Sequence, residues 1–110
     1  MPAKVYLAKD ERYVNQKILD SANGKHCTVN GPTCIGGTET TVWCHSPFAQ
    51  HGKAGSRKSH DCFGCYGCRA CHDWLDARDN SRAAGRVRYW RFVDAQAKSL
   101  LILLREGVLT

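Results

Sequence analysis

The sequence predicts an α+β fold stapled by a zinc ion, with a helix near each end of the chain and a short β-hairpin between them. Apolar residues recur at helical spacing towards both ends. A short stretch between them is rich in β-branched and aromatic residues, which favour strands. Cysteines occur in separated groups, and a chain of 110 residues builds a small core that often needs a metal as reinforcement.

The predicted N-terminal helix covers residues 10–22. Asp10 is its candidate N-cap, and Gly24 is placed to end it. The apolar positions at helical spacing are Val14, Ile18, Leu19 and Ala22. One side of this short helix is therefore expected to pack on the rest of the domain.

Irregular and extended segments follow this helix. Residues 25–37 combine glycine, proline and asparagine with two cysteines and predict an irregular knuckle. Residues 38–44 favour a strand that delivers His45 at its end. Residues 46–60 contain proline, glycine and several basic side chains, so we expect a mobile, exposed loop before a second short strand or turn.

A second helix is predicted to begin at Cys68. Trp74 and Leu75 are expected to face inward, with the acidic side chains outward and a break near Asn80 or Ser81.

The longest predicted helix lies near the C-terminus, with Arg105 in its last turn and Gly107 just beyond. Its expected inward stripe is Tyr89, Val93, Ala97, Leu100 and Leu104, widened by Trp90, Leu101 and Leu103. The sequence shows no internal repeat, low-complexity tract or linker. Residues 1–110 are therefore expected to form a single domain.

Charge and composition limit the function classes. The formal net charge of +6 favours a polyanionic partner, with nucleic acid first among the candidates and an ordinary basic surface as the alternative. The start of the chain turns charged at once, unlike a secretory leader. The longest apolar run, residues 100–104, is too short to span a bilayer. We therefore expect a soluble cytoplasmic protein without a membrane partner.

The cysteine spacing predicts a metal site. In a reducing compartment, thiols at short regular spacing are more often metal ligands than disulfides. Structural zinc usually joins two distant pairs of ligands, because one ion then closes a long loop of chain. The predicted ligands are Cys27, Cys34, Cys68 and Cys71.

The remaining cysteines leave alternatives open. An iron–sulfur cluster on residues 62–71 is the rival interpretation, but His72 stands where the ferredoxin pattern has proline. We expect Cys44 to be a buried apolar thiol. Cys62 and Cys65 fit either burial or metal binding.

The order of these motifs resembles the HNH, or ββα-metal, nuclease finger. It is most similar to the small predicted nucleases of the YbcO type from phages and prophages. The resemblance covers residues 25–108, and its most specific part is the Cys-x-x-Cys-His-Asp-x-x-Asp segment. The positions that carry it are Cys27, Cys34, Glu39, Thr40, His45, Lys58, Asp61, Cys68, Cys71, His72, Asp73, Asp76, Glu106, Gly107 and Val108. The resemblance implies a nuclease in the cytoplasm of a bacterial host cell.

The predicted catalytic residues are His45 and Asp61. A neutral imidazole at His45 suits the general base that deprotonates the attacking water. The resemblance places Asp61 where such a finger often carries the residue that orients this base. His72 and Asp76 lie four residues apart on one helix face and are the predicted ligands of a catalytic Mg²⁺ or another divalent ion.

One position departs from the family pattern. Many HNH fingers have an acidic metal ligand just before the base, and Cys44 stands there. Either Cys44 joins the coordination, or the ion is held by His72, Asp76 and water, or catalysis has been lost. Two functions are therefore expected: a metal-dependent endonuclease acting on DNA in phage or prophage DNA processing or recombination, or a catalytically inactive zinc module that binds DNA or a protein partner. Lys53, Arg57 and Lys58 are expected to contact phosphates.

Overall fold

A computed structural model describes residues 11–54, 57–77 and 81–109. Within these residues, three helices and two strands follow one another: α1 Gln16–Ser21, β1 Val42–His45, β2 Gly64–Gly67, α2 Arg69–Leu75 and α3 Arg82–Arg105. A short 3₁₀ helix, Ala49–His51, lies between the strands. The predicted α+β class is confirmed.

The strands β1 and β2 form an antiparallel pair in which Val42 lies opposite Gly67 and His45 opposite Gly64. The predicted strand over residues 38–44 begins too early, because Glu39 and Thr40 form a turn. The physical reason is the shortness of β2: Cys68 already caps α2, so no residue remains to pair with the chain before Val42. The predicted delivery of His45 at the strand end is confirmed.

Helix α1 is shorter than predicted. Its N-cap is Asn15, whose side chain accepts a hydrogen bond from the Lys17 amide at 3.1 Å. The predicted cap Asp10 lies outside the described residues. Gly24, with φ +80°, follows the helix as predicted and adopts the left-handed conformation that suits glycine.

Helix α2 also ends before its predicted break. It stops at Leu75 and is capped by Asp76, well before Asn80, which lies outside the described residues. Ser81 instead begins α3, because its hydroxyl accepts a hydrogen bond from the Ala84 amide at 3.1 Å. Leu75 faces inward as predicted, and Trp74 is half-buried.

The face that α3 buries differs from the predicted stripe. Its buried residues are Arg88, Phe92, Ala95, Ser99 and Leu103, so of the predicted positions only Leu103 is fully buried. Polar contacts explain the difference. The Ser99 hydroxyl accepts a hydrogen bond from the Tyr66 amide of β2 at 3.0 Å, and Arg88 Nε donates to the Trp74 carbonyl at 3.0 Å. A stripe chosen by hydrophobicity alone misses these satisfied polar residues.

The core lies in two clusters, one on each face of the two-stranded sheet. Successive strand residues point to opposite faces, so Cys44 and Cys65 enter one cluster and Trp43 and Tyr66 enter the other. The first cluster holds Val29, Cys44, Cys65, Cys68, Cys71, Leu75, Phe92 and Ala95. The second holds Ile18, Ala22, Trp43, Tyr66 and Leu103. Helix α3 contributes to both clusters.

The described part of the loop over residues 46–60 is less exposed than predicted. Its Ser59 and His60 are buried, and the His60 ring accepts a hydrogen bond from the Tyr13 amide at 2.9 Å. His51 stacks on Phe63 with ring centroids 5.0 Å apart. The loop is held by aromatic and hydrogen-bond contacts that composition does not reveal. Among the helices of the described residues, none is long and apolar enough to cross a membrane.

Candidate functional site

Four cysteine thiols form the first part of the site. The Sγ atoms of Cys27, Cys34, Cys68 and Cys71 all lie within 4.8 Å of one another. The Sγ atoms of Cys34 and Cys68 are 3.9 Å apart, close to the spacing expected in a tetrahedron with Zn–S bonds of about 2.3 Å. The four predicted ligands are thus close enough to bind one metal ion, and the thiolate donor set fits zinc.

Backbone amides point at two of these sulfurs. The Gly31 amide donates to Cys71 Sγ and the Cys71 amide donates to Cys68 Sγ, each at 3.4 Å. Burial raises the pKa of Cys34 and Cys71. Burial also acts to raise the pKa of Cys68, but amide hydrogen bonds from Ile35 and Cys71 outweigh it and lower the pKa to about 7. The lowered pKa prepares Cys68 to bind a metal ion as a thiolate.

The knuckle that carries Cys27 and Cys34 depends on close backbone approach. Thr28 fixes one end of it, since its amide donates to the Tyr66 carbonyl at 2.8 Å. A Cβ added at Gly31 would meet the Trp74 ring at 2.9 Å. Only glycine lets the knuckle lie this close to α2. The packing of Trp74 and the arrangement of the four cysteines therefore both depend on glycine at position 31.

The other cysteines stand apart from the four ligands. Cys44 and Cys65 face each other across the sheet and are buried, which confirms the predicted burial of Cys44. The hydrogen bond from Cys65 to Cys44, which stabilises the protonated thiol, and burial raise the pKa of Cys65 well above its ordinary value. Burial raises the pKa of the half-buried Cys62 as well. Cys62 and Cys65 therefore favour the neutral thiol.

His45 and Asp61 form the second part of the site. His45 Nε2 lies 2.7 Å from Asp61 Oδ1, at the end of β1. Asp61 is 1% exposed and also accepts hydrogen bonds from Arg12 Nη2 at 2.6 Å and the Asn15 amide at 2.7 Å. A carboxylate with these donors only accepts, so the proton of neutral His45 lies on Nε2 and a lone pair remains on Nδ1.

The electrostatic surroundings keep His45 neutral. Burial lowers its pKa below the ordinary 6.5, and the hydrogen bond that His45 donates to Asp61 opposes this shift without reversing it. The positive charges of Lys58 and Arg12 act in the same direction as burial. His45 is therefore a neutral imidazole near pH 7 with cationic side chains close by.

Sequence reasoning missed Arg12 and Asn15. They lie 49 and 46 residues before Asp61, in a segment whose own pattern suggests only the start of a helix. Trp43 Nε1 also donates a hydrogen bond to the backbone carbonyl of Asp61 at 2.9 Å. Three segments that are distant in sequence thus meet at Asp61, and no local motif predicts this contact.

His72 and Asp76 form the third part of the site. His72 Nε2 lies 3.6 Å from Asp76 Oδ2, and its Nδ1 lies 3.9 Å from Asp73 Oδ1. His72 lines a surface cavity with Val42 of β1. Asp76 lines another with Pro47 and Lys53, just beyond His45 along the chain.

Of the four predicted residues, His45 pairs with Asp61 and His72 pairs with Asp76. His45 shares a sheet face with Trp43, whereas α2 packs on the face of Cys44. Among the described residues, only the four cysteines place three or more ligand atoms within 4.8 Å of one another. The predicted catalytic pair, His45 and Asp61, and the helix that carries the predicted ion ligands His72 and Asp76 therefore lie on opposite faces of the sheet.

The fold and site define a small α+β protein with four clustered cysteines that could hold a metal ion and a histidine–aspartate pair at a strand end. The chain belongs to the family described as "Putative nuclease YbcO", whose model matches residues 16–108. It is similar to a solved structure of a "putative bacteriophage protein" from Escherichia coli K-12, with 32% identity and a TM-score of 0.62. That similarity covers 81% of this chain and 98% of the other. Among curated proteins, no significant match was found.

Proposed function

We propose that this chain is a metal-dependent endonuclease of the HNH type that hydrolyses phosphodiester bonds in DNA. The single observation that carries the proposal is the 2.7 Å contact between His45 and the buried Asp61. The nuclease description of its family supports the reaction class. The bacteriophage description of its E. coli structural neighbour supports a role in phage or prophage DNA processing or recombination.

His45 is the proposed general base. Asp61 holds the ring in one orientation and fixes the proton on Nε2, so Nδ1 can accept a proton from the attacking water. The lowered pKa keeps Nδ1 unprotonated near pH 7. Asp61 is a positioning residue, because its own lone pairs are occupied by Arg12 and the Asn15 amide.

Cationic side chains supply the affinity for the phosphodiester backbone. Arg12 and Lys58 lie close enough to act on His45 electrostatically, and Lys53 lines the cavity beside Asp76. Arg57 belongs to the same basic loop. Positive charges placed beside a base attract the scissile phosphate and stabilise negative charge that develops on it.

His72 and Asp76 are the proposed ligands of a catalytic divalent cation such as Mg²⁺. When bound, such a cation supplies charge stabilisation for the leaving 3′ oxygen. In the described sheet, β1 pairs with β2 along one edge, and no other strand pairs with its second edge. A DNA backbone lying along that second edge would be close to the residues on both faces of the sheet. The four-cysteine site is proposed to hold structural zinc and to take no part in the reaction.

A zinc-stapled module that binds DNA or a protein partner without cutting is the second candidate. One observation favours it: the ligand atoms of His45, Asp61, His72 and Asp76 are not gathered into one metal-sized group among the described residues. Under this alternative, His45 and Asp61 serve only to fasten residues 12–15 to the sheet.

The two candidates are separated by His45→Ala. For the endonuclease, nicking of supercoiled plasmid with Mg²⁺ or Mn²⁺ should fall by about 10²-fold or more, as expected for loss of a general base. Zinc content should remain unchanged. His26→Ala is the matched control, because His26 is exposed and is not among the residues proposed to act in the reaction. If wild-type protein with full zinc content cuts no form of DNA or RNA, the endonuclease proposal is wrong and the binding module stands.

A further inference from the structure

Helix α3 carries a second apolar face besides the one that it buries. Of the nine large hydrophobic residues exposed in the described chain, five lie on this helix. The most exposed are Trp90 at 65% and Leu104 at 54%. The five residues are Val87, Trp90, Leu100, Leu101 and Leu104. An apolar surface of this extent on one helix is typical of an interaction site.

All of these residues except Leu100 fit a heptad pattern. Starting at Ala83, residues on the exposed side recur at alternating steps of four and three, which is the 3.5-residue period of a coiled coil. We call this set the outer stripe, and it consists of Ala83, Val87, Trp90, Asp94, Ala97, Leu101 and Leu104. All described members lie outside the buried face of α3. The stripe is therefore free to pack against another helix.

We propose that a second copy of this chain covers the outer stripe, with the two α3 helices packed antiparallel in a two-fold symmetric dimer. In this register, Val87 packs against Leu104 of the second copy and Trp90 packs against its Leu101. Each large side chain thereby contacts an apolar partner. The two-fold symmetry forms each of these two contacts twice in the dimer. A symmetric pair is also the commonest form of soluble oligomer.

The only charged residue of the stripe selects the antiparallel orientation. In a parallel pair, Asp94 would face Asp94 of the second copy, and two like charges would be buried together. In the antiparallel pair, Asp94 lies opposite the small Ala97 and beside Lys98 of the second copy. Lys98 already forms an ion pair with Asp94 of its own helix at 2.9 Å. The negative charge of Asp94 also offsets the repulsion between Lys98 of one copy and Arg91 of the other.

The contact is large enough for a specific interface. The 24 residues of α3 form a rod of about 36 Å. Two such rods packed along their length bury on the order of 1,000 Å² of total surface or more, which reaches the lower range of stable protein interfaces. The same contact would cover Leu100, which lies on the flank of the stripe opposite Val93 of the second copy.

The test is the mass of the zinc-loaded full chain by sedimentation equilibrium at micromolar concentrations. The expected result is twice the mass of one chain. Leu101→Lys should weaken the dimer by more than about tenfold in dissociation constant, because it adds a positive charge to an apolar layer. Val14→Lys is the matched control: Val14 is 62% exposed but lies far from the stripe in sequence, so the dimer should persist.

Trp90→Ala provides a second variant that removes apolar surface without adding charge, and it should also weaken the dimer. Circular dichroism and zinc content confirm that each variant is folded. A monomer at every concentration overturns the proposal, even if the chain binds an acidic amphipathic peptide instead. A dimer that persists in the folded Leu101→Lys and Trp90→Ala variants overturns it as well. The test is independent of nuclease activity.

Discussion

The four-cysteine cluster and the cluster around Asp61 both join distant parts of the chain, but they do so by different physics. The cysteine cluster brings together thiols from two short motifs, and in the proposed function it gains its strength from one zinc ion held by four thiolates. The Asp61 cluster has no such centre. It joins residues 12–15, the end of β1 and residues 59–61 through three hydrogen bonds to one buried carboxylate and one from Arg12 Nε to the Ser59 carbonyl. The first cluster should fail completely when one ligand is lost, whereas the second should weaken in steps.

The sharpest test of this contrast is Cys68→Ser. Loss of one thiolate should remove most of the coupled zinc-binding free energy, which is on the order of 10 kcal/mol for structural zinc. The variant should be unfolded or lack a cooperative thermal transition, and elemental analysis should find less than one zinc per chain. Cys62→Ser is the matched control, because Cys62 lies outside the ligand group. A Cys68→Ser protein that melts like wild type would contradict the metal-site assignment.

A smaller effect is expected from Asp61→Asn. The amide cannot accept from Arg12, His45 and Asn15 at once, so a buried charge pair is broken and the expected loss is about 2–3 kcal/mol in the free energy of unfolding. Zinc content should not change. Urea denaturation measures the loss. Asp20→Asn is the control, since Asp20 is exposed and should shift stability by less than about 0.5 kcal/mol. Equal urea midpoints for Asp61→Asn and Asp20→Asn would show that Asp61 contributes no more to stability than an exposed aspartate.

The smallest effect concerns pH. Burial lowers the pKa of His45 and His51 below 6.5, so the unfolded chain binds protons more readily than the folded chain. Stability from these groups is therefore present above pH 6.5 and is lost as the pH falls through the lowered folded-state values. The urea midpoint of wild type should decrease on acidification. Plasmid nicking should decrease in the same range, because it needs neutral His45.

The control for the pH prediction is His51→Gln, which should flatten the acid-side decrease in the urea midpoint without changing the pH dependence of nicking. His51 bonds to Ser46 and stacks on Phe63, away from the proposed base contact with Asp61. An identical stability profile in wild type and His51→Gln would mean that other groups set the acid-side loss.

Local patterns predicted the parts of the fold that depend on near neighbours. The Cys68-x-x-Cys71 spacing indicated a helix start with metal ligands, and Cys68 indeed caps α2. The β-branched run indicated a strand ending at His45. Element boundaries were less accurate, because Asn15 and Asp76 become caps through contacts that the segment alone does not specify.

The sequence by itself determined the α+β class, the four clustered cysteines and the position of His45 at a strand end, because each follows from spacing or propensity within a few residues. The tertiary structure alone decided which face α3 buries, since Ser99 and Arg88 are stable inside only when Tyr66 and Trp74 offer them hydrogen bonds. It also decided that Arg12 reaches Asp61 across 49 residues. Hydrogen bonds between distant segments leave no periodic trace in a sequence, because the residue types that form them are equally at home in water.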